Sequence, residues 1–425
     1  MAQPKNERDL AVNILTNILD ANAYANIALR KALAEQYDIK LDPRGRAFIT
    51  DLVNETLRNL ILIDHVISKF SNTPIDKMKP FIRNLLRISV CQMRHMDKIP
   101  DRAAVNEAVN LVKAKGLANL SGFVNGVLRA ISREEKKTVN DPALRYSYPK
   151  WLFNSIVNWL GEEDAIKFCE NSHIPPSVIV RTNTVKTNTK QLVEELRAEG
   201  VVAEPIEHDF ITLSQTGDIS RLKSFVNGHF FVMDYGALAA VHALSPKPNQ
   251  TILDICAAPG GKSFVTALLM ENEGLIRAFD IHPHRVELVR QTKKKLGLSI
   301  IEPEQKDALV LDPLLVNSAD AVLLDAPCTG FGTIRKHPEI KYNRTKQDII
   351  DLAEKQRQML DVAAQYVKNS GILVYCTCTI ATEENINNIN YFLSNNKNFK
   401  LDKTHQILPS STSDGFYVAR LIRIK

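Results

Sequence analysis

Cysteine is scarce in this chain. Its six residues out of 425, Cys91, Cys169, Cys256, Cys328, Cys376 and Cys378, are too scattered for a disulfide framework. No C-x-x-C pair exists, and Cys376 and Cys378 have no neighbouring His or Cys to complete a zinc site, so no metal is expected. Long apolar runs are missing too. None approaches the roughly 18 residues that a membrane-crossing helix needs, and Met1–Glu7 lacks the apolar core of a secretion signal. These absences predict a cytoplasmic protein with free thiols and no membrane contact. Internal repeats and low-complexity tracts are also absent. Nor does one sign of charge dominate, since 54 Lys and Arg against 48 Asp and Glu leave +6. The distribution is more informative: residues 1–140 hold 22 basic against 15 acidic side chains, and residues 141–425 hold 32 against 33. A polyanionic partner would be drawn first to the amino-terminal third.

What is present is ordinary core-forming material. Hydrophobic residues make up 44% and charged residues 24%, over a length that suggests about three domains. From Arg8 to Ser132 apolar residues recur at three and four positions, as in Leu10, Ile14, Leu15, Ile18 and Phe81, Leu85, Leu86, Ile88. That spacing predicts an all-helical bundle, broken at Asp42-Pro43, Ser71–Pro74, Ile99-Pro100 and Lys115-Gly116. The charged stretch Arg133–Lys137, followed by Asn140-Asp141-Pro142, reads as a linker and sets a first domain at 1–140. Over 141–240 helical pieces (Trp151–Leu160, Thr189–Glu199) mix with β-branched runs (Ser177–Val180, Asp209–Leu213), predicting a small α+β domain. From 241 to 425 short apolar strands (Thr251–Cys256, Leu275–Asp280, Ala319–Asp325, Gly371–Tyr375) alternate with helices, which argues for an α/β domain on a mostly parallel sheet.

Thr251–Ser263 reads as a strand, a loop of small residues and a helix beginning near Lys262. Small residues let the backbone approach a ligand, and the free N–H groups of a helix start can hold polar atoms. Gly261-Lys262-Ser263 is similar to a phosphate-binding P-loop, with Ala321–Asp325 as a metal-holding strand, but Cys256 stands where that motif requires glycine. A pocket for S-adenosyl-L-methionine fits better. Asp254 is followed by small residues at alternate positions (Cys256, Ala258, Gly260). Asp280 ends the next strand, where its carboxylate could accept from ribose hydroxyls, and Asp307 follows a third strand, where it could take the adenine amino group.

Asp325-Ala326-Pro327-Cys328 and Cys376-Thr377-Cys378-Thr379 each follow an apolar strand, so a parallel sheet can bring their thiols into one cleft. A methyltransferase acting on an exocyclic amine would show an Asp/Asn-Pro-Pro-aromatic motif at the first position; a thiol stands there instead. C5 of a pyrimidine is too weak a nucleophile to take a methyl group directly, but thiolate addition to C6 makes C5 an enamine-like carbon. Asp325 near N3 would favour the addition, and a base must then remove the C5 proton before the thiol leaves. The chemistry leaves open which thiol adds. Cys91, Cys169 and Cys256 read as small core residues, Cys256 touching the cofactor through its backbone.

Taken together, Ile179–Asn183, Asp254–Ser263, Asp325–Gly330, Thr377-Cys378 and Asp414–Tyr417 resemble the RNA cytosine-C5 methyltransferase family, in the family's order, over about residues 145–425. Asn26–Leu29, Ile99-Pro100 and Gly122–Arg129 resemble NusB-like RNA-binding helices. The resemblance implies an all-α NusB-like domain, a small α+β RNA-binding domain and an α/β Rossmann-like class I S-adenosylmethionine-dependent methyltransferase domain. It also implies a 16S ribosomal RNA substrate and no evident protein partner. It implies Cys378 as nucleophile, Cys328 as the group that assists release, and Asp325 as a third catalytic residue. Cys256, Ala257, Ala258, Pro259, Gly260, Gly261, Lys262, Asp280, Asp307 and Asp325 would contact S-adenosyl-L-methionine. Two departures stand out: Met233-Asp234, where the family has Gln before the acid, and the additional thiol of Cys376.

Thiol addition needs the pyrimidine face, so the RNA must present an unstacked cytosine. Arg335, Lys336 and His337, with Lys341 and Arg344, are expected to grip phosphates from a loop after Cys328, and Arg181 and Asn183 to touch the RNA backbone. Arg83, Arg87 and Arg94 would add salt-dependent attraction. The competing expectation is a NusB-like RNA-binding or ribosome-assembly factor with little or no turnover.

Overall fold

The computed structural model describes residues 4–21, 23–34, 41–97, 99–135 and 138–425. Lys136 and Lys137 of the expected linker lie outside the described residues. The chain folds into two compact units. One comprises Met1–His173 together with Ile334–Arg344, and the other Ile174–Thr333 together with Thr345–Lys425.

The first unit is helical, as the apolar spacing predicts. Its helices start where the sequence supplies caps. The Asn6 side chain accepts from Asp9 N–H to open Glu7–Asp20, and Asp42 accepts from Gly45 N–H with Pro43 in the first turn of Pro43–Arg58. Pro80–His95 carries Arg94 in its last turn, a cation that suits a helix carboxyl end. One core runs through these helices and Ser121–Arg133, from Leu10, Ile14 and Ile18 to Leu85, Leu86, Leu128 and Ile131. The unit continues past residue 140 through the helices Lys150–Leu160 and Glu162–His173.

Segment 334–344 returns to this unit from far along the chain. Lys341 is buried, donating to the carbonyls of Arg58 (2.8 Å) and Tyr146 (3.1 Å) and lying over the Tyr148 ring. The Tyr342 hydroxyl donates to Leu57 O at 2.7 Å, and Glu339 accepts from Ala25 N–H at 3.0 Å.

The second unit carries two sheets. The small one is antiparallel, in the order β2-β3-β1-β4, with β1 Val178–Thr182, β2 Val202–Ile206, β3 Phe210–Ser214 and β4 Phe230–Val232. The large one has seven strands. They are β5 Thr251–Ile255, β6 Leu275–Asp280, β7 Ile301–Gln305, β8 Ala319–Asp325, β9 Val367–Thr377, β10 Phe399–Ile407 and β11 Phe416–Arg423. Their order is β10-β11-β9-β8-β5-β6-β7, parallel from β9 to β7 and antiparallel at β11 and β10. Strand order reverses between β5 and β8, the position where open α/β sheets leave a crevice at their carboxyl edge. The central strands are nearly continuous apolar runs, as strands covered on both faces must be, and Leu253, Ile255, Val322, Leu323, Leu324 and Val374 are fully or almost fully buried. Among the described residues no helix is long and apolar enough to cross a membrane.

Candidate active site

The loop after β5 is shaped by two left-handed residues, Cys256 (φ +64°) and Gly260 (φ +105°). At Gly260 a Cβ would lie 2.4 Å from the Phe264 ring, so only glycine fits. The helix Gly261–Leu269 starts there with free N–H groups at its amino end. Met233, the departure from the family pattern, is buried with its side chain 3.6 Å from the Cβ position of Gly261, directly against this loop.

Three carboxylates line the carboxyl ends of successive strands. Asp254 is buried on β5, accepts from the Ser263 hydroxyl through one oxygen and has no hydrogen-bond partner at the other. Burial, reinforced by the charge of Asp325 and opposed by Ser263 and Lys262, pushes its carboxyl up to about 7. Asp280 closes β6 and accepts from His282 N–H (3.0 Å); Asp307 follows β7 and accepts from Leu309 N–H (2.9 Å). Lys262 reaches across to Asp325 at 2.6 Å. Burial alone would lower its pKa, but the charge and hydrogen bond of Asp325, with Cys376 and Asp254, together outweigh that and raise it, so Lys262 stays charged. These residues fit S-adenosylmethionine: acceptors for ribose hydroxyls and an amino group, an orphaned buried carboxylate oxygen, and a close-approach loop with free N–H groups.

At β8 and β9 the chemistry changes to thiols. Cys328 Sγ and Cys378 Sγ are 3.3 Å apart, both half-buried. The hydrogen bond with Cys378, then burial, drives the Cys328 thiol well above its ordinary value, so Cys328 holds its proton. Cys376 is fully buried, touches Asp325 Oδ1 at 3.4 Å, and is pushed up by burial and by that carboxylate. It is a core residue beside the site, and Cys256 is likewise pushed up to about 12 by burial.

What fixes the thiols was not read from the sequence. Thr329, next to Cys328, and Thr379, next to Cys378, meet hydroxyl to hydroxyl at 2.8 Å. Buried Glu384 accepts from Thr329 N–H (2.9 Å), from the Thr329 hydroxyl (2.5 Å) and from Gln356 (2.9 Å). A second strap joins three loops: Gly332 N–H donates to Cys378 O (3.0 Å) and Gly415 N–H to Gly332 O (2.8 Å). A Cβ on Gly332 would stand 2.0 Å from Gly415 O. The signal was present only as a Gly in each of Cys328-Thr329-Gly330-Phe331-Gly332 and Asp414-Gly415-Phe416.

The expected RNA contacts are placed differently. Arg335 is buried in the first unit, and Arg58 donates to its carbonyl at 3.3 Å. His337 is half-buried there, its ring held below the ordinary histidine value by burial and by Lys336. Burial and the Arg58 charge lower Lys341 to about 7. The segment is an anchor in the helical unit rather than an open phosphate grip, and Lys336 is half-exposed within it. Asn183 is fully buried, its amide donating to Gly228 O and Leu296 O at 2.8 Å each, a structural tie between the small sheet and the helix Pro283–Leu296. Arg181 is buried beside Asp209 (3.1 Å) and over the Phe210 ring. Arg83, Arg87 and Arg94 are paired with Asp20, Asp64 and Glu134. Among the described residues no group of His, Cys, Asp and Glu has the form of a metal site.

Three family models match the chain. The 16S rRNA methyltransferase RsmB/F model matches residues 241–422, the NusB family model residues 5–133, and a Methyltr_RsmF/B-like ferredoxin-like domain residues 148–220. A Bacillus subtilis (strain 168) protein named probable ribosomal RNA small subunit methyltransferase B is 38% identical over 93% of this chain and 90% of its own length. The chain belongs to the RsmB/F 16S rRNA methyltransferase family. A Synechocystis relative of the same name is 32% identical over 97% of this chain and 98% of its own length. Among solved structures, PH0851 is 27% identical with a TM-score of 0.82 over 98% of both chains. A methyltransferase homolog protein from Pyrococcus horikoshii is 29% identical, with a TM-score of 0.59, over 67% of this chain and 98% of its own. As a member of this family the protein is an S-adenosylmethionine-dependent rRNA methyltransferase built from a NusB domain, a ferredoxin-like domain and a Rossmann-like catalytic domain.

Proposed function

We propose that the protein methylates C5 of a cytosine in 16S ribosomal RNA through a covalent bond between Cys378 and C6 of the base. The observation that carries this reading is the pair of thiols 3.3 Å apart at the carboxyl ends of adjacent parallel strands, beside the carboxylate-lined loop. S-adenosylmethionine supplies the methyl group from its sulfonium. Asp280 and Asp307 are assigned to its hydroxyls and amino group, the backbone of 256–262 to its polar end, and the Lys262–Asp325 pair to the boundary between cofactor and base.

The Cys378 thiol adds to C6, forming the S–C6 bond as the ring's electron pair moves toward C5 and N3; the thiol proton passes to N3, where the Asp325 carboxylate accepts from the resulting N–H. C5 then takes the methyl group. Water takes up the C5 proton, the freed electron pair returns to the ring, the S–C6 bond breaks, and the Cys378 thiolate leaves. Cys328 is assigned to this second half because it keeps its own proton and lies 3.3 Å from Cys378 Sγ, where its S–H can donate to the departing thiolate. The small-subunit names of the relatives and the 16S description of the family model support 16S rRNA as substrate.

The test uses methyl-labelled S-adenosylmethionine and unmodified 16S rRNA transcript. Cys378→Ala is expected to abolish both transfer and the RNA–protein adduct. Cys328→Ala is expected to accumulate a denaturation-resistant adduct. The opposite pattern would reverse the two roles, and label found anywhere but cytosine C5 would overturn the reading.

A further inference from the structure

The carboxyl edge of the large sheet holds a second concavity that the cofactor and the thiols do not use. It is a cavity of about 240 Å³ whose lining includes His208, Tyr235, His242, Ile407, Ser410 and Ser413. Its position follows from register. Ile407 ends β10 opposite Phe416, the first residue of β11, and Tyr417 lies opposite Thr377 at the end of β9, so the 408–415 loop stands at the same edge as Cys378. The wall connects to the thiols by direct hydrogen bonds. Asp234 accepts from Gly236 N–H and Asp414 N–H, Gly415 is bound to Gly332, and Gly332 to Cys378 O. Along the edge the order is therefore carboxylates at β5–β7, thiols at β8 and β9, cavity at β11 and β10. A base held at the thiols has the cofactor on one side and the cavity on the other.

The lining is aromatic. His208 stacks near Tyr235 with centroids 6.4 Å apart, and His242 meets His208 edge-on at 4.9 Å. Both histidines are exposed and Tyr235 is half-buried, so ring faces are open to a ligand. The platform is braced from behind, with Phe210 against Tyr235 at 5.2 Å and Arg181 over Phe210 at 5.3 Å. His208 and Asp209 both take left-handed backbone (φ +55° and +56°), an uncommon conformation for residues other than glycine that fixes where His208 is presented. Burial, with the charges of His208 and Arg181, holds His242 below the ordinary histidine value, which favours a neutral ring at neutral pH.

Resting on the RNA-methylation reading, we propose that this cavity is the subsite for a nucleobase next to the target cytosine, stacked on His208, Tyr235 and His242 with its polar edge toward the hydroxyl-bearing 410–413 loop. Aromatic platforms of this kind hold unpaired bases with little preference among them, and extrusion of the target leaves its neighbour needing such a surface.

The experiment measures RNA binding and turnover separately with the full chain and unmodified 16S rRNA transcript. Changing both His208→Ala and His242→Ala is expected to weaken RNA binding and raise the RNA KM, each about tenfold. The KM for S-adenosylmethionine should stay within about twofold. Changing both to Phe should keep RNA affinity near wild type. Unchanged RNA affinity in the Ala variant, or an equal loss in the Phe variant, would overturn the subsite. Binding is read without turnover, so wild-type protein that binds RNA but transfers no methyl would instead refute the methylation reading.

Discussion

The two ends of the carboxyl edge brace their side chains by different means. At β5, β6 and β7 the side chains are Asp254, Asp280 and Asp307, each braced by a donor close in sequence. At β8 and β9 they are thiols, and the bracing comes from Glu384, Gln356 and two threonines spread over more than 50 residues. A cofactor rich in hydroxyl and amino donors needs acceptors that local turns can fix. A covalent step needs two sulfur atoms at a set spacing, and only a network reaching through the core fixes that.

If the two ends are separable, substitutions at each should split kcat from KM. Glu384→Ala leaves the Thr329 and Gln356 donors without their buried acceptor. It should lower kcat about 100-fold and stability by about 2 kcal/mol, with the KM for S-adenosylmethionine unchanged and partial recovery in Glu384→Gln. A parallel rise in cofactor KM would break the comparison. Asp280→Asn should do the reverse, raising that KM about tenfold or more while kcat at saturating cofactor and the RNA KM hold.

A pH dependence sharpens the contrast within the cofactor end itself. The native carboxyl of Asp254 sits at about 7 against an ordinary 3.8, so the folded protein keeps a proton that the unfolded chain releases. Its contribution to stability is full below the lower value and is lost as pH rises toward the upper one, on the order of 1 kcal/mol per pH unit. Urea midpoints at pH 5 and pH 7 should show this slope, and Asp254→Asn should flatten it.

The fold was legible where burial is two-sided or periodic: the helical spacing of 8–132 and the apolar runs of β5, β6 and β8. β9 extends to Val367–Thr377, beyond Gly371–Tyr375, because Lys368, Asn369 and Ser370 are polar yet continue the strand. β2 and β10 were missed for a related reason. Val-Ala-Glu-Pro-Ile and Phe-Lys-Leu-Asp-Lys-Thr-His-Gln-Ile are edge strands whose outer faces are exposed and polar. The cysteines could be found because reactive side chains announce themselves. Glu384, Gln356, Thr329 and Thr379 could not, since hydrogen-bonding residues acquire this meaning only when the fold assembles them. Arg335 and Lys341 misled because a basic run reads as surface until burial, and for Lys341 two backbone carbonyls, give it another role.

Those carbonyls set a clock. Residues 334–344 complete the first unit, but a ribosome adds them roughly 160 residues after His173. At about 5 to 20 residues per second, that interval is on the order of 10 to 30 s. Over that interval the slot lined by the carbonyls of Leu57, Arg58 and Tyr146 lacks the donors that Lys341 and Tyr342 supply in the complete fold. Emergence of Lys341 and Tyr342 closes the slot only after β8 and the Cys328 loop have been synthesised, so the oldest part of the nascent chain is finished by one of its later parts.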